Sequence, residues 1–241
     1  MATAQQPLPG TAVEEPVEEN DLPPFMTMEG SISPLTLKAI TQKPMKLTHM
    51  SPVQAAVFPL LPKLADLYDP NAPDENPRDL LVKARTGTGK TLAFLLPAVE
   101  TRLKAIEAHG KQVVQDVGST SDRSLETRAQ RAFARQNLGT LIISPTRELA
   151  TQIAVEAQRL TSHLDGFEVR LFVGGASKGS QMRDWMRGRR DILVSTPGRL
   201  RDFLASEPEV ARGISKTQTV CSCQSHFLYT HSLIICAADF G

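Results

Sequence analysis

No apolar run in this sequence approaches the ~20 residues that a membrane span needs. The N-terminus lacks the charged-then-apolar order of a secretory signal, and it is not rich in arginine as a mitochondrial transit peptide is. The sequence therefore predicts a soluble, intracellular protein that does not engage a membrane. It leaves the cytoplasm and the mitochondrion open as compartments.

Cysteine is absent from the first 220 of the 241 residues, because Cys221, Cys223 and Cys236 all lie near the end. With His226 and His231 they could be taken as zinc ligands, but Cys-x-Cys lacks the usual spacer of ~2–4 residues. The step in composition indicates instead that the end of the chain has a different origin from the rest.

Basic residues are absent from residues 1–25, which contain five acids and five prolines. With so few apolar side chains this segment is predicted to be a disordered tail. The chain as a whole has 27 Lys and Arg against 26 Asp and Glu, so the remaining residues have 27 bases against 21 acids. A modestly basic body suits a polyanionic partner.

A glycine-containing turn stands between an apolar run at residues 80–82 and an amphipathic pattern that begins at Leu92. Its residues are Ala84, Arg85, Thr86, Gly87, Thr88, Gly89, Lys90 and Thr91. This is the P-loop pattern, with Ala84 where the general form has its first glycine. A dinucleotide fingerprint fits badly, because its third glycine position is occupied by Leu92.

The chemistry of the P-loop assigns a role to each kind of residue in this turn. Gly87 and Gly89 allow positive φ, so that backbone N–H groups turn inward around a phosphate. Lys90 would reach the β- and γ-phosphates, and the Thr91 hydroxyl would bind Mg²⁺ at the N-terminus of the helix. The turn therefore predicts a site for nucleotide phosphates.

Apolar strands and amphipathic helices alternate along the rest of the chain, which predicts an α/β fold with a parallel sheet flanked by helices. Further strands are predicted at residues 141–143, 169–173 and 192–194, and helices at 33–40, from 51, at 92–106, at 149–164, at 178–187 and around Leu200. Residues 69–78 are predicted to be a loop, and residues 108–138 a surface insertion with one helix near 124–136.

Unusual residues follow three of the predicted strands. They are Ser144-Pro145-Thr146-Arg147, Gly174-Gly175 and Thr196-Pro197-Gly198-Arg199. Because the carboxyl ends of parallel strands share one edge of a sheet, we expect these segments to lie together. N–H groups, hydroxyls and two arginines suit contacts to a sugar-phosphate backbone. Taken singly, each segment could equally be a plain loop or helix cap.

Over about residues 25–219 the sequence resembles the DEAD-box ATP-dependent RNA helicases, and most closely the fungal, organellar type. Residues 84–91 resemble motif I, 145–150 motif Ia, 174–175 the GG motif and 196–200 motif Ib. Residues 50–54 are similar to the Q motif, with Met50 and Ser51 where the family usually has Pro and Thr.

The resemblance implies a RecA-like domain that binds ATP, Mg²⁺ and RNA. It implies that Gln54 contacts adenine, that residues 84–91 bind the phosphates with Thr91 on the metal, and that motifs Ia, GG and Ib contact RNA. The RNA set is Pro145, Thr146, Arg147, Gly174, Gly175, Thr196, Pro197, Gly198 and Arg199. Phe25, the only aromatic residue before Gln54, lies further upstream than the family's adenine-stacking residue.

The resemblance fails after Thr219. Where the family has an apolar strand and Asp-Glu-Ala-Asp, this sequence has Val220-Cys221-Ser222-Cys223 and ends at Gly241. We therefore assign no catalytic residue. The resemblance implies that this motif supplies the general base, and that a second RecA-like domain supplies an arginine finger. Absence of the first costs ~10²–10⁴ in rate and of the second ~10³–10⁵, so hydrolysis by this chain is expected to be negligible. The resemblance also implies that the motif's strand and the next one lie in the middle of the sheet, so without them the chain is expected to be insoluble or molten.

These observations predict a division into a tail (1–25), a Q-motif helical region (26–78), a RecA-like ATP-binding domain (79–219) and an aberrant end (220–241). The leading hypothesis is the N-terminal part of an RNA helicase, truncated before its DEAD motif. The alternatives are a non-catalytic short isoform that binds RNA or a protein partner, and a truncated gene model. The codons for Val220-Cys221 can spell GTATGT, a splice donor, so residues 220–241 are predicted to be translated intron.

Overall fold

The computed structural model describes residues 22–67, 79–85, 87–118, 121–226 and 230–237. Thr86, the predicted loop at 69–78 and most of the predicted N-terminal tail lie outside these ranges. The helices are α1 (Pro34–Thr41), α2 (Pro52–Val57), α3 (Lys90–Asp116), α4 (Arg123–Gln136), α5 (Arg147–Leu160), α6 (Lys178–Arg187), α7 (Pro197–Ser206) and α8 (Pro208–Ile214). The strands are β1 (Leu80–Arg85), β2 (Thr140–Ile143), β3 (Val169–Phe172), β4 (Ile192–Ser195), β5 (Thr219–His226) and β6 (Thr230–Ala237).

The six described strands form one sheet in the order β1-β6-β5-β2-β4-β3. Strands β5, β2, β4 and β3 are parallel neighbours. Strand β6 is antiparallel to both β1 and β5, so β1 runs in the same direction as the parallel group. The prediction of an α/β fold with a parallel sheet flanked by helices is confirmed. Among the described strands β6 alone is antiparallel to its neighbours, and it forms a hairpin with β5.

The end of the chain fills the middle of the sheet. Strand β6 pairs with all of β1, from Leu80 opposite Ile235 to Arg85 opposite Thr230. We expected β1 to lack its inner neighbour, because the sequence after Thr219 departs from the family pattern. The structure corrects that expectation: residues 219–226 and 230–237 supply two strands, although one of them is reversed.

Helices cover both faces of the sheet, because successive residues of a strand point to opposite sides. Ile142 and Val194 face a cluster with α3 and α5, whereas Leu141 and Leu193 face a cluster with α6, α7 and α8. In the second cluster the rings of Phe172 and Phe203 stack with centroids 4.1 Å apart. The result is a three-layer arrangement, although Leu81 of β1 remains 68% exposed.

Two boundaries differ from the sequence prediction. Phe25, which we placed in the tail, is fully buried with its ring centroid 6.0 Å from that of Phe58, so ordered structure begins before it. Helix α3 continues to Asp116, into the predicted insertion, and packs along α4. Helix α4 confirms the single helix predicted near 124–136, and it is joined to α3 through stacking of His109 on Phe133 at 4.4 Å.

Within the described ranges, the 27-residue α3 is the longest helix, and neither it nor any other has the continuous apolar stretch needed to cross a bilayer.

Candidate functional site

The carboxyl ends of β1 to β5 share one edge of the sheet. The P-loop follows β1, and the three unusual segments follow β2, β3 and β4. Backbone bonds extend the sheet slightly past the strand ends, from Ser144 N to Ser195 O at 2.9 Å and from Thr196 N to Phe172 O at 3.0 Å. The expectation that these segments meet at one edge is therefore confirmed.

The P-loop turns on two glycines with positive φ. Gly87 has φ +81° and Gly89 has φ +79°, as predicted. At Gly89 space is restricted as well, because a Cβ atom there would lie 2.5 Å from Gln54 Nε2 and 2.8 Å from Ser51 Oγ. A side chain at residue 89 is thus excluded both by backbone strain and by close approach of α2.

Gln54 connects α2 to the P-loop. Its Oε1 accepts a bond from Ser51 N at 2.8 Å, and its Nε2 donates to Gly89 O at 3.1 Å. Ser51 Oγ accepts from Gln54 N, which completes a capping box at the start of α2. Gln54 is 5% exposed. Ser51, which the sequence analysis placed in the Q-motif-like segment, thus supports the position of Gln54 against the loop.

Lys90 is bound to the end of the strand that precedes it. Its Nζ donates to Ala84 O at 2.6 Å and to Arg85 O. Thr88 Oγ1 also donates to Arg85 O, at 2.8 Å. Ala84 and Arg85 belong to β1, so the turn itself is shorter than the eight-residue motif. A bound phosphate would replace these two carbonyls as the hydrogen-bond acceptor of the Lys90 ammonium group.

Cys223, near the end of β5, interacts electrostatically with Lys90. Burial lowers the pKa of Lys90, and the interaction with Cys223 opposes that shift. Burial raises the pKa of the Cys223 thiol to about 11, with Lys90 acting the other way. At neutral pH the thiol is therefore uncharged, and it places no carboxylate-like charge beside the lysine.

A magnesium ion would find few protein ligands at this site. Thr91, the second residue of α3, can offer its hydroxyl, as predicted. Among the described residues no group of three or more His, Cys, Asp or Glu side chains is arranged to hold a metal. The donor set therefore fits Mg²⁺ only in combination with the phosphate oxygens of a nucleotide.

On the same edge as the P-loop, but separated from it by two strands of the sheet, a cavity of about 500 Å³ lies between the ends of β2, β3 and β4. Of the nine predicted RNA-contact residues, seven line it: Pro145, Thr146, Arg147, Gly174, Thr196, Gly198 and Arg199. Gly175 and Pro197 are outside the lining. Gly175 has φ +83° and its position abuts Arg147, while Pro197 is the first residue of α7.

Two helices begin at this cavity. Thr146 caps α5, its side chain accepting from Leu149 N at 3.2 Å. Thr196 is the N-cap residue of α7, but its side chain makes no capping bond. The N-terminus of a helix attracts anions through its unpaired N–H groups and its dipole. The cavity wall thus favours a negatively charged ligand.

The two arginines of the cavity differ in mobility. The Arg147 side chain is 59% exposed, and its nearest acid is Glu148 at 3.9 Å. The Arg199 side chain is 12% exposed and donates to Gln181 Oε1 at 3.3 Å and Ala176 O at 3.1 Å. Arg199 therefore has a defined position, while Arg147 can adjust to a ligand.

Sequence reasoning missed the two acids of the cavity, Glu148 and Asp202. Asp202 accepts from Lys178 at 3.0 Å and lies 3.9 Å from Arg199. It stands three residues after Arg199 on α7, a helical spacing that could have indicated the contact. Both acids reduce the positive charge of the site, which leaves the helix N-termini and N–H groups as important as the arginines.

Comparison with known proteins agrees with this geometry. The chain is 37% identical over 211 residues to the ATP-dependent RNA helicase mss116, mitochondrial, of Aspergillus oryzae, covering 87% of this chain and 27% of that protein. It is 34% identical over 178 residues to DEAD-box ATP-dependent RNA helicase 25 of Oryza sativa subsp. japonica, covering 74% and 24%. The chain spans about a quarter of the length of these curated relatives.

Solved structures show the same fold. The yeast DEAD-box splicing factor Prp28 superposes with a TM-score of 0.56 at 25% identity, over 80% of this chain and 37% of that chain. The DEAD-box helicase Mss116 bound to ssRNA and UDP-BeF gives 0.55 at 22% identity, over 83% and 32%. The family model described as DEAD/DEAH box helicase matches residues 51–221. This chain therefore belongs to the DEAD/DEAH box helicase family.

Proposed function

We propose that this chain binds ATP through its P-loop and the sugar-phosphate backbone of RNA through the neighbouring cavity. These are the nucleotide- and RNA-binding functions of an ATP-dependent RNA helicase, and we propose RNA unwinding for the complete protein. The observation that carries the proposal is the assembly of the P-loop and seven predicted RNA-contact residues on one edge of the sheet. Relatives of the chain are named ATP-dependent RNA helicases.

Each part of the site has a physical role in this proposal. The N–H groups of the turn at Gly87 and Gly89 surround the phosphates, and Lys90 leaves the carbonyls of Ala84 and Arg85 to contact them. Gln54 keeps the loop close to α2 and contacts adenine. Bound magnesium would supply charge neutralisation between the phosphates, with Thr91 as its protein ligand.

RNA recognition at the cavity is proposed to depend on phosphates. Arg199 supplies a fixed guanidinium group, Arg147 an adjustable one, and the N-termini of α5 and α7 supply N–H donors. These groups position a nucleic-acid strand without contacting base edges. Binding should therefore be insensitive to base sequence.

A non-catalytic role remains the second candidate, and one observation favours it. The β5 residue that interacts electrostatically with Lys90 is Cys223, whose thiol is neutral at pH 7. A neutral thiol cannot serve as the carboxylate that orients an attacking water. We therefore propose that this chain binds ATP and RNA but hydrolyses ATP at a negligible rate. An ATPase assay, run beside the binding titrations, separates the two candidates.

The nucleotide part is tested by calorimetric titration of ATP into Lys90→Ala. Lys83→Ala is the control, because Lys83 is an exposed lysine of β1, the strand that precedes the P-loop. Loss of a bond to a charged group costs ~1.5–3 kcal/mol, or about tenfold or more in affinity. Equal affinity of Lys90→Ala and the parent chain would refute the phosphate site.

The RNA part is tested by titrating single-stranded oligonucleotides of different sequence at several salt concentrations. Affinity should fall steeply with salt, and Arg147→Ala combined with Arg199→Ala should weaken binding to all sequences alike. A strong preference for one sequence, or an affinity independent of salt, would contradict backbone recognition.

The compartment is proposed to be intracellular, in the cytoplasm or the mitochondrion. Two Aspergillus relatives carry the word mitochondrial in their names. Fractionation of cells that express the tagged protein distinguishes the two.

A further inference from the structure

Helix α4 presents a row of arginines to solvent. Arg128, Arg131 and Arg135 are all exposed, and their spacing of three and four residues places them on one face. Along the helix axis they are separated by about 4.5 and 6 Å. We call this set the arginine face.

The opposite side of α4 is fixed against α3. Phe133 stacks on His109 at 4.4 Å and lies under Arg102, 5.2 Å from the guanidinium carbon. Gly110 allows α4 to approach closely, since a Cβ there would lie 2.6 Å from the side chain of Gln130. The arginine face is therefore carried by a packed helix with a defined orientation.

No acid neutralises the arginine face within the described part of the chain. The only acidic residue of α4 is Glu126, which accepts from Gln130 at 3.2 Å and interacts with Lys111 of α3. Arg128, Arg131 and Arg135 have no ion pair or side-chain hydrogen bond with any described residue. Like charges at these spacings destabilise a helix, so folding alone does not account for them.

We propose that the arginine face is a second contact for RNA phosphates, separate from the cavity at the strand ends. The proposal rests on the RNA binding proposed above, and charge complementarity carries it. Guanidinium groups bind phosphate oxygens in pairs of parallel hydrogen bonds, and a row of cations on one face can neutralise several phosphates of one strand.

The position of α4 makes this contact additional to the cavity. Helix α4 leads into the amino end of β2, whereas the cavity lies at the carboxyl end of β2. The four residues of β2 alone separate the two by about 13 Å. A short oligonucleotide in the cavity need not reach α4, but a longer RNA can contact both and gain affinity from the linked contacts.

The test compares single strands of about six and about thirty nucleotides on the 241-residue chain. The triple variant Arg128→Ala, Arg131→Ala, Arg135→Ala should bind the short RNA like the parent and the long RNA several-fold more weakly. Its slope of log affinity against log salt for the long RNA should be smaller by about 2, as expected for three lost phosphate contacts. Arg→Lys at the same positions should largely restore the slope.

A matched control removes the same number of charges elsewhere. Lys38, Lys43 and Lys46 are exposed and have no side-chain partner among the described residues. Their triple Ala variant should retain the parent affinity and slope for the long RNA. Circular dichroism on each variant checks that α4 remains folded.

Three outcomes would overturn the proposal. Equal long-RNA affinity of parent and arginine variant, with short-RNA binding intact, refutes the arginine face and leaves the cavity proposal standing. Equal weakening by the lysine control shows a non-specific charge effect. Polyglutamate, titrated in parallel, is the probe for an acidic peptide. If the arginine variant loses polyglutamate binding while its long-RNA affinity is unchanged, the face binds an acidic peptide instead. If the parent chain does not bind the short RNA, only the cavity proposal is refuted. The comparison of parent and arginine variant on the long RNA still tests α4 in that case.

Discussion

Arg102 of α3 and Asp191, just before β4, form an ion pair in which both side chains are fully buried, with Nε 2.9 Å from Oδ1. Arg102 also donates to the carbonyls of Asn137 at 2.9 Å and Ala134 at 3.3 Å. Asp191 in turn accepts from Glu168 N at 3.0 Å. This one pair joins α3, the end of α4 and the amino edge of the sheet.

The first prediction concerns this pair. Replacing Arg102 with Leu removes one of the two arginines on the Asp191 carboxylate, because Arg189 still donates to Oδ1 from Nη2 at 2.9 Å. The free energy of unfolding should therefore fall by ~1–3 kcal/mol, the cost of buried polar groups that lose a partner. Arg212→Leu is the control, because Arg212 pairs with Glu209 on the surface with its side chain 72% exposed, and exposed pairs contribute ~0–1 kcal/mol. Denaturant unfolding measures both. Similar losses for the two variants would contradict the role of the buried pair.

The second prediction concerns the thiol beside the P-loop. Cys223→Asp puts a carboxylate in place of the thiol that interacts electrostatically with Lys90, and Mg²⁺ bound with ATP would take that carboxylate as a ligand. ATP affinity with Mg²⁺ should rise about tenfold, the scale of one charge-assisted bond, while affinity without Mg²⁺ should fall because the carboxylate repels the triphosphate.

Cys223→Asn is the matched control for that experiment, since the Asn side chain is similar in size to Asp but carries no charge. Calorimetric titrations with magnesium and with EDTA give the four affinities needed. If Cys223→Asp responds to magnesium no more than Cys223→Asn does, then Cys223 does not lie at the metal position.

The third prediction concerns pH. Glu100 of α3 is buried, and its Oε2 accepts from Ser33 N at 3.0 Å. Burial raises the pKa of its carboxyl group, while the nearby Thr36 hydroxyl, the bond from Ser33 and the charge of Lys104 act against the shift. A raised folded-state pKa means that the protonated form favours folding. The stabilising contribution of protonated Glu100 to the free energy of unfolding is fully present below the ordinary carboxyl pKa, and it is lost as the pH rises through the raised pKa.

Glu100→Gln should therefore raise the thermal midpoint at neutral pH, since Gln can accept the same bond without a buried charge. Its advantage over the parent should shrink as the pH is lowered into the carboxyl range. Glu107→Gln is the control, because the Glu107 side chain is 59% exposed on the same helix. An advantage of Glu100→Gln that does not vary with pH would show that its charge is irrelevant.

The fourth prediction concerns the hairpin at the end of the chain. Removing residues 227–241 deletes β6 and leaves the inner edges of β1 and β5 without partners. Each buried unpaired backbone group costs ~1–3 kcal/mol, against a typical total stability of ~5–15 kcal/mol. The shortened chain should therefore lose the cooperative thermal transition that the full chain is expected to show.

Removing only residues 238–241 is the control for this deletion, since β6 ends at Ala237, and it should preserve the transition. A full chain that unfolds without a cooperative transition would agree with the sequence-based expectation of a molten protein. It would then contradict the sheet as the structure has it.

Local sequence determined much of this protein. The alternation of apolar runs with 3.6-residue periodicity predicted most of the strands and helices, because burial on one face dictates the period. The glycines of residues 84–91 predicted the positive φ values of the turn, since glycine adopts them without strain. The rule that parallel strands end at one edge predicted that residues 144–147, 174–175 and 196–199 meet.

Tertiary structure alone decided contacts between residues distant in sequence. The burial of Arg102 on Asp191, 89 residues away, has no local pattern, because both are ordinary polar residues until packing removes their water. The direction of β6 could not be predicted either, since a strand has the same apolar alternation in a parallel or an antiparallel pair. The hydrogen bond of Gln54 to Gly89 and the electrostatic interaction of Cys223 with Lys90 likewise depend on how the sheet and helices pack.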